Sequence, residues 1–88
     1  MRFHYVYVLI SLKDNQFYIG STNDLKRRLQ QHNNGENIST AKRKPFKLIY
    51  FEGHLAKTDA LRREFYFKTT KGKVMLRNIL RDYLDSVS

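Results

Sequence analysis

Residues 3–21 read FHYVYVLISLKDNQFYIGS, and this stretch decides the fold. Aromatic and β-branched residues fill both ends, as in strands, and the polar run between them is typical of a turn. The stretch therefore predicts a β-hairpin. Because side chains alternate along a strand, Tyr5 and Tyr7 share one face of the first strand, and Tyr18 and Gly20 share a face of the second.

The rest of the chain alternates helical and extended patterns. Capping side chains before Asp24 predict a helix start, Gly35 predicts its end, and Pro45 excludes a helix before the next strand. The predicted elements are strands over residues 3–12, 17–21 and 46–52, and helices over 24–33, 57–68 and about 73–84. Residues 69–72 separate the last two helices, so the order is ββαβαα. The apolar stripe predicted for the first helix consists of Leu25 and Leu29. That of the second helix consists of Ala60, Leu61 and Phe65, and that of the last helix consists of Val74, Leu76, Ile79, Leu80 and Leu84.

Length and charge limit the classes of protein to which this sequence can belong. The chain has 88 residues, 17 lysines and arginines, and 8 aspartates and glutamates, for a net charge of +9. This length predicts a single domain over residues 1–88. Such an excess of positive charge on a small body favours an anionic partner, nucleic acid first and a ribosomal or membrane surface next. The alternative is that the charge only keeps the protein soluble.

Several kinds of site and location are excluded by what the sequence lacks. There is no cysteine and there are three histidines, so disulfides, iron–sulfur clusters and cysteine-based zinc sites are ruled out. No apolar run reaches the roughly 18 residues that a membrane helix needs, and the amino terminus does not have the pattern of a signal peptide. We therefore expect a soluble, cytoplasmic protein that does not bind membranes.

Five groups of residues, taken together, resemble the GIY-YIG nuclease domain. The match is to its small stand-alone form, related to the nuclease module of the UvrC repair protein. It covers nearly the whole chain, with Tyr5 standing where the family name has glycine. The matching residues are Tyr5-Val6-Tyr7, Tyr18-Ile19-Gly20, Arg28 with His32, the run from Ala60 to Glu64, and the run from Phe67 to Lys73.

The resemblance implies a fold and an activity. The fold would be of the α+β class, a small three-stranded antiparallel sheet flanked by three helices. The activity would be metal-dependent hydrolysis of phosphodiester bonds in nucleic acid, with DNA favoured over RNA and Mg²⁺ or Mn²⁺ as cofactor. A role in DNA repair is an analogy with UvrC at the level of the fold.

The resemblance assigns water activation to Tyr7, with Tyr18 assisting. A free phenol has a pKa of about 10 and is a poor base at neutral pH, so a nearby cation or metal would have to favour its phenolate. From the pattern alone, both tyrosines are better explained as aromatic residues at the rim of the core, and it is the motif that favours a catalytic role.

Arg28, His32 and Glu64 complete the predicted catalytic set. Arg28 and His32 lie one turn apart on a helix, and so project from one face. A planar guanidinium suits a phosphate, and His32 could donate a hydrogen bond or carry a proton. Glu64 lies among basic residues, where a carboxylate serves as a salt-bridge partner or a metal ligand. The resemblance supports the ligand interpretation.

Further basic residues are candidates for sequence-independent phosphate contacts. They are Lys42, Arg43 and Lys44 before the third strand, and Lys68, Lys71 and Lys73 near the last helix. Asn78 stands near the position where the family often has an asparagine that contacts phosphate, and it is a weaker candidate than these.

Three hypotheses about function follow. The first is a metal-dependent endonuclease in which a tyrosine activates water. The second is a nucleic-acid-binding module that does not cut, or that cuts only with a targeting protein. The third, which rests on charge alone, is a structural protein associated with the ribosome or RNA.

Overall fold

A central strand, β1 (His4–Ser11), organises the protein, for which the computed structural model describes residues 2–87. Strands β2 (Phe17–Thr22) and β3 (Phe46–His54) pair antiparallel with its two edges, so the sheet order is β2-β1-β3. The helices are α1 (Leu25–Asn33), α2 (Lys57–Phe67), α3 (Thr70–Ile79) and α4 (Arg81–Ser86), with a 3-10 turn at Ala41–Arg43. The α+β fold with a three-stranded antiparallel sheet is confirmed.

Strand β1 is buried on both faces. Val6 and Val8 belong to an apolar cluster that includes Phe67 of α2 and Leu76 of α3. Tyr7 and Leu9 point to the opposite face. Their cluster is completed by Phe46, with Leu25, Leu29, Tyr18 and Leu48 packed against it. The predicted alternation along the hairpin is therefore correct, and α1 lies on the Tyr7 face while α2 and α3 lie on the other.

The start and end of α1 follow from its local sequence. The Asp24 side chain accepts a hydrogen bond from the Arg27 amide at 3.1 Å, which satisfies one of the free donors at the helix start. After the helix, Gly35 takes a positive φ of 74°, a conformation that a residue with a side chain rarely adopts. The end is as predicted, and the helix begins one residue later than predicted because Asp24 is itself the cap.

The buried face of α2 differs from the prediction. Leu61 and Phe65 are 46% and 73% exposed, whereas Ala60 and Phe67 are buried. An ion pair fixes this orientation, since Arg63 Nε donates to a Glu52 oxygen of β3 at 2.7 Å. The Arg63 guanidinium also lies 4.3 Å from the centre of the Phe67 ring.

The carboxyl-terminal segment forms two helices rather than the single predicted one. The Thr69 side chain accepts from the Gly72 amide at 3.1 Å and so starts α3 earlier than expected. The chain leaves helical geometry at Leu80, which is buried, and α4 follows. Of the predicted stripe, Val74 and Ile79 are 56% and 44% exposed. Within residues 2–87, no helix is long and apolar enough to span a bilayer.

Gly72 permits the close approach of α3 to the end of α2. It is buried, and a Cβ placed there would overlap the Tyr66 carbonyl oxygen and approach the Phe67 Cα to 2.7 Å. Both obstacles are backbone atoms, which cannot rotate away. Any side chain at this position must therefore move the two helices apart.

We expect Gly72→Ala to lower the free energy of unfolding by about 1–3 kcal/mol, the usual cost of overpacking. Urea denaturation measures this. An unobstructed helical glycine would instead gain about 0.5–1 kcal/mol on replacement by alanine, so the sign of the change is diagnostic. Lys71→Ala, at an exposed position of the same helix, is the matched control and should change stability by less than about 0.5 kcal/mol. A stabilised Gly72→Ala protein would contradict the packing described here.

Candidate active site

The hydroxyl of Tyr7 is the point at which three predicted residues meet. Its oxygen lies 2.9 Å from His32 Nε2 and accepts a hydrogen bond from Arg28 Nε at 3.3 Å. Arg28 and His32 are one turn apart on α1, so the helix presents both to the same phenol. Arg28 also donates to Gln31 at 3.0 Å and lines a surface cavity of about 250 Å³.

Gly20 makes room for the Tyr7 side chain. The two residues are paired across β1 and β2, and the phenol lies over the Gly20 backbone. A Cβ at Gly20 would be 2.5 Å from the Tyr7 hydroxyl oxygen and 2.7 Å from Cζ. The position therefore requires glycine, and the role of Gly20 in the site is spatial.

Tyr18 packs beside this group as an aromatic neighbour. Its ring centre is 4.9 Å from that of His32, in an edge-to-face arrangement, and 6.4 Å from that of Tyr7. The two tyrosines are therefore near neighbours on one surface. Tyr18 is half-buried, whereas Tyr7 is 2% exposed.

His32 is fully buried and neutral. Its Nδ1 lies 2.8 Å from the Thr40 hydroxyl, which in turn donates to the Asn37 carbonyl oxygen at 3.4 Å. Thr40 therefore accepts the Nδ1 proton, and Nε2 is left to accept the proton of the Tyr7 hydroxyl. Burial, with the nearby charge of Arg28, lowers the pKa of His32.

The pKa of the Tyr7 phenol is raised, with burial as the largest cause. The hydrogen bond from Arg28 acts in the opposite direction, and the Tyr18 and Glu64 groups add to the increase. Tyr7 is thus a neutral phenol at pH 7, with a hydrogen-bond donor on one side and an acceptor for its proton on the other.

Glu64 reaches this region from the other face of the sheet. One carboxylate oxygen accepts from the Ser21 hydroxyl at 2.7 Å, and the other accepts from Lys68 Nζ at 2.8 Å. Ser21 follows Gly20 on the edge strand β2, so alternation places it on the α2 face. Glu64 and Tyr7 therefore approach the same edge from opposite sides, near enough for the Glu64 charge to raise the pKa of Tyr7.

The donor set suits a loosely held divalent ion. Among residues 2–87 there is no group of three or more histidine, cysteine or acidic side chains that could enclose a metal. A single carboxylate, water and a substrate phosphate are sufficient for Mg²⁺. The Glu64 side chain is 19% exposed and could serve as this carboxylate. One of its oxygens would become available to the ion when the Lys68 ammonium, on a side chain that is 51% exposed, moves away from it.

The sequence analysis missed two hydrogen-bond partners in the site, Thr40 and Ser21. Thr40 lies in a polar loop eight residues beyond His32, and nothing in its spacing distinguishes it from Ser39 or Thr58. Ser21 could have been found, because it adjoins the tyrosine–isoleucine–glycine motif and alternates to the face opposite Gly20.

The three basic residues before β3 have different environments. Arg43 pairs with Asp14 at 2.8 Å and donates to the carbonyl oxygens of Gln16 and Phe17, so it holds the β1–β2 turn in place. Lys42 and Lys44 are exposed. Their role as phosphate contacts stays a prediction, and for Arg43 a structural role is already visible.

The remaining predicted contacts lie on or near α3. Lys71, Lys73 and Asn78 are exposed, and none of the hydrogen bonds to Tyr7, Arg28 or Glu64 within residues 2–87 involves them. Lys73 lines a cavity of about 180 Å³ with Gln16 and Arg77. The structure brings together Tyr7, Tyr18, Arg28 and His32, with Glu64 across the strand edge, and leaves Asn78 outside this group.

Comparison with known proteins identifies the family. The GIY-YIG catalytic domain matches residues 3–78. A UPF0213 protein of Staphylococcus saprophyticus is 36% identical over 77 residues, which cover 86% of this chain and 93% of that protein. UPF0213 protein YazA of Bacillus subtilis is 42% identical over 66 residues, which cover 74% of this chain and 66% of that relative, just under two thirds of its length.

A solved structure agrees with these sequence matches. The solution NMR structure of a UPF0213 protein from Bacillus halodurans superimposes with a TM-score of 0.54 at 34% identity, covering 88% of this chain and 84% of that one. The family match includes the hairpin, α1 and the Glu64 helix, which are the elements that carry the site. The chain therefore belongs to the GIY-YIG family.

Proposed function

We propose that this protein is a metal-dependent endonuclease that hydrolyses phosphodiester bonds in nucleic acid, with DNA favoured over RNA. The observation that carries the proposal is the Tyr7 phenol, held between a neutral His32 and the Arg28 guanidinium. A phenol serves as a base only if its proton has somewhere to go and its negative charge has a partner, and these two residues supply both needs.

The proton path follows from the hydrogen bonds. Tyr7 passes its proton to His32 Nε2 as its oxygen takes one from water, and the Arg28 hydrogen bond stabilises the negative charge that develops on that oxygen. A phenolic oxygen has two lone pairs, so one remains to accept a proton from the attacking water. His32 gains a charge in this step while Thr40 continues to accept its Nδ1 proton.

Arg28 also provides a route for the substrate. Tyr7 is 2% exposed, whereas Arg28 lines the surface cavity of about 250 Å³ with Thr22 and Gln31. A phosphate in this cavity would accept hydrogen bonds from the terminal guanidinium nitrogens, which form stronger bonds with an anion than with the Gln31 amide oxygen, while Nε keeps its bond to the phenol. The phenol would then face the phosphate and its attacking water.

Glu64 would hold the divalent ion. Mg²⁺ or Mn²⁺ at this carboxylate would offset charge on the phosphate and the leaving oxygen. Ser21 fixes one Glu64 oxygen, and Lys68, whose side chain is half-exposed, occupies the other. Metal binding therefore replaces one cation by another, and we expect it to be weak without substrate.

The second candidate function is a nucleic-acid-binding module that does not cut by itself. The occupied Glu64 carboxylate favours it, because both oxygens already have partners. Under this alternative, the protein binds nucleic acid and cleaves none in Mg²⁺ or Mn²⁺ across nicked, branched, single-stranded and duplex DNA and RNA. Cleavage of any of these substrates by the isolated protein excludes it.

Tyr7→Phe should lower the cleavage rate about 100- to 10,000-fold, the usual contribution of a general base. The measurement is the single-turnover rate on a labelled substrate. Tyr83→Phe removes a hydroxyl outside the site and is the matched control. A Tyr7→Phe protein that cleaves as fast as the control would overturn the assignment of the base.

Glu64→Gln should raise the Mn²⁺ concentration needed for half-maximal cleavage by at least about tenfold, because the carboxylate charge that attracts the ion is lost. A Mn²⁺ titration of the cleavage rate measures this, with Glu36→Gln at an exposed position as control. An unchanged titration curve would remove Glu64 from the metal site.

Thr40→Val should lower the cleavage rate about 10- to 100-fold, the range seen when the partner that orients a histidine is lost, and Thr40→Ser should restore it. In the unaltered protein, cleavage should fall on acidification as His32 becomes protonated. Because burial lowers the pKa of His32, this fall should lie below the ordinary value of about 6.5.

The free energy of unfolding should also depend on the protonation of His32. The unfolded state binds a proton at higher pH than the folded state, so stability is lost as the pH falls below about 6.5 and through the folded pKa.

A pH–rate profile that Thr40→Val leaves unmoved in position and height would show that Thr40 has no part in orienting His32.

A further inference from the structure

An uncovered aromatic surface lies at one end of the sheet, on the face that carries Tyr7. It consists of Phe3, Tyr5 and Phe51, and is called here the aromatic platform. Phe3 and Phe51 are 43% and 51% exposed, and Tyr5 is half-buried. On the same face, Leu25 and Leu29 of helix α1 pack against the cluster that contains Tyr7 and Leu9.

The three rings form one continuous group. Tyr5 lies 5.9 Å from Phe51 in an edge-to-face arrangement and 6.2 Å from Phe3, centre to centre. Gly53 pairs with Tyr5 across the strands and leaves space for the Phe3 ring, since a Cβ there would lie 3.2 Å from Phe3 Cδ1. The rings therefore support one another, and about half of the Phe3 and Phe51 surface remains exposed to solvent.

The platform continues directly from the proposed nuclease site. Phe51 is the cross-strand partner of Tyr7, on the opposite side from Gly20. Tyr5 lies two residues from Tyr7 on the same face, about 7 Å away along the strand. Tyr5 also stands where the family name has glycine, so this chain places a ring next to the catalytic position.

Positive charge borders the platform on the side of β2. Thr22 is the cross-strand partner of Tyr5 and also lines the cavity that contains Arg27 and Arg28. A ligand lying on the rings would thus extend into a pocket lined by these two guanidinium groups and the single carboxylate of Asp24. Flat apolar rings beside cations complement a nucleobase joined to a phosphate, because bases stack on aromatic faces while arginine binds the backbone.

We propose that the aromatic platform binds unpaired nucleobases adjoining the scissile phosphate. The proposal rests on the proposed nuclease function and adds to it that the substrate carries unpaired bases on one side of the cut. Paired bases present no free faces, so a fully duplex strand could not use these rings. Base stacking of this kind does not depend on sequence.

The test is binding without catalysis. Fluorescence anisotropy in EDTA compares a labelled thymidine 15-mer with an abasic 15-mer of the same length and charge, and a uridine 15-mer distinguishes RNA from DNA. The unaltered protein should bind the base-containing strands more tightly than the abasic one. Phe51→Ala should weaken binding to the base-containing strands about 5- to 150-fold, the range for loss of one stacked base, and leave abasic binding unchanged.

Two variants separate stacking from general effects. Phe51→Tyr keeps the ring and should restore binding, whereas Phe65→Ala removes a 73% exposed ring on α2 and should have no effect. Equal affinity for abasic and base-containing strands would overturn the proposal. So would a loss of affinity for both strands alike in Phe51→Ala, or a dimer in sedimentation that Phe51→Ala disperses without changing the preference for bases.

The outcome is independent of cleavage. A protein that prefers base-containing strands but cuts no substrate supports the platform and contradicts the nuclease assignment. A protein that cuts but binds abasic strands as tightly as base-containing ones supports the nuclease assignment and contradicts the platform.

Discussion

The passage of the Tyr7 ring over Gly20 is the constraint on which the rest of the site depends. A side chain at position 20 would occupy the space of the phenol, so the hydroxyl could no longer lie between His32 and Arg28. The register of the hairpin places Gly20 opposite Tyr7, and a shift of one residue would turn every side chain of β2 to the other face. The hairpin thus sets the chemistry as well as the fold.

The strand β2 also joins the two halves of the site. Its alternation directs Gly20 to the face of α1 and Ser21 to the face of α2, where Ser21 hydrogen-bonds Glu64. These two adjacent residues therefore contact the Tyr7 phenol on one face of the sheet and the Glu64 carboxylate on the other. Since β2 is an edge strand, the two residues bring both groups towards the rim of the sheet.

Local signals in the sequence predicted those parts of the fold that local interactions determine. The hairpin, the Asp24 cap and the end of α1 at Gly35 each depend on neighbouring residues. The buried face of α2 depends instead on contacts with distant residues. Leu61 and Phe65 form an apolar stripe as good as the one that is buried, but Ala60 and Phe67 enter the core and Arg63 pairs with Glu52 of β3.

The candidate site divides in the same way. The resemblance to a family picked out Tyr7, Arg28, His32 and Glu64, while spacing alone indicated only that Arg28 and His32 share a helix face. Thr40 was missed because its contact with His32 closes a polar loop whose path no local pattern records. Residues that perform a reaction carry a recognisable chemistry, whereas the hydroxyls that orient them resemble any other serine or threonine.

Part of the positive charge behind the net +9 has a structural role in the folded protein. Arg43, Arg63 and Lys68 are each paired with a carboxylate, so part of the positive charge holds the hairpin, α2 and Glu64 in place. Charge that is spread in this way attracts any polyanion and selects none, because phosphate contacts carry no information about base or strand. A protein of this size can gain selectivity from groups that sense whether bases are free to stack. Under the proposed function, the rings of the aromatic platform beside the buried Tyr7 phenol would supply such groups with three side chains.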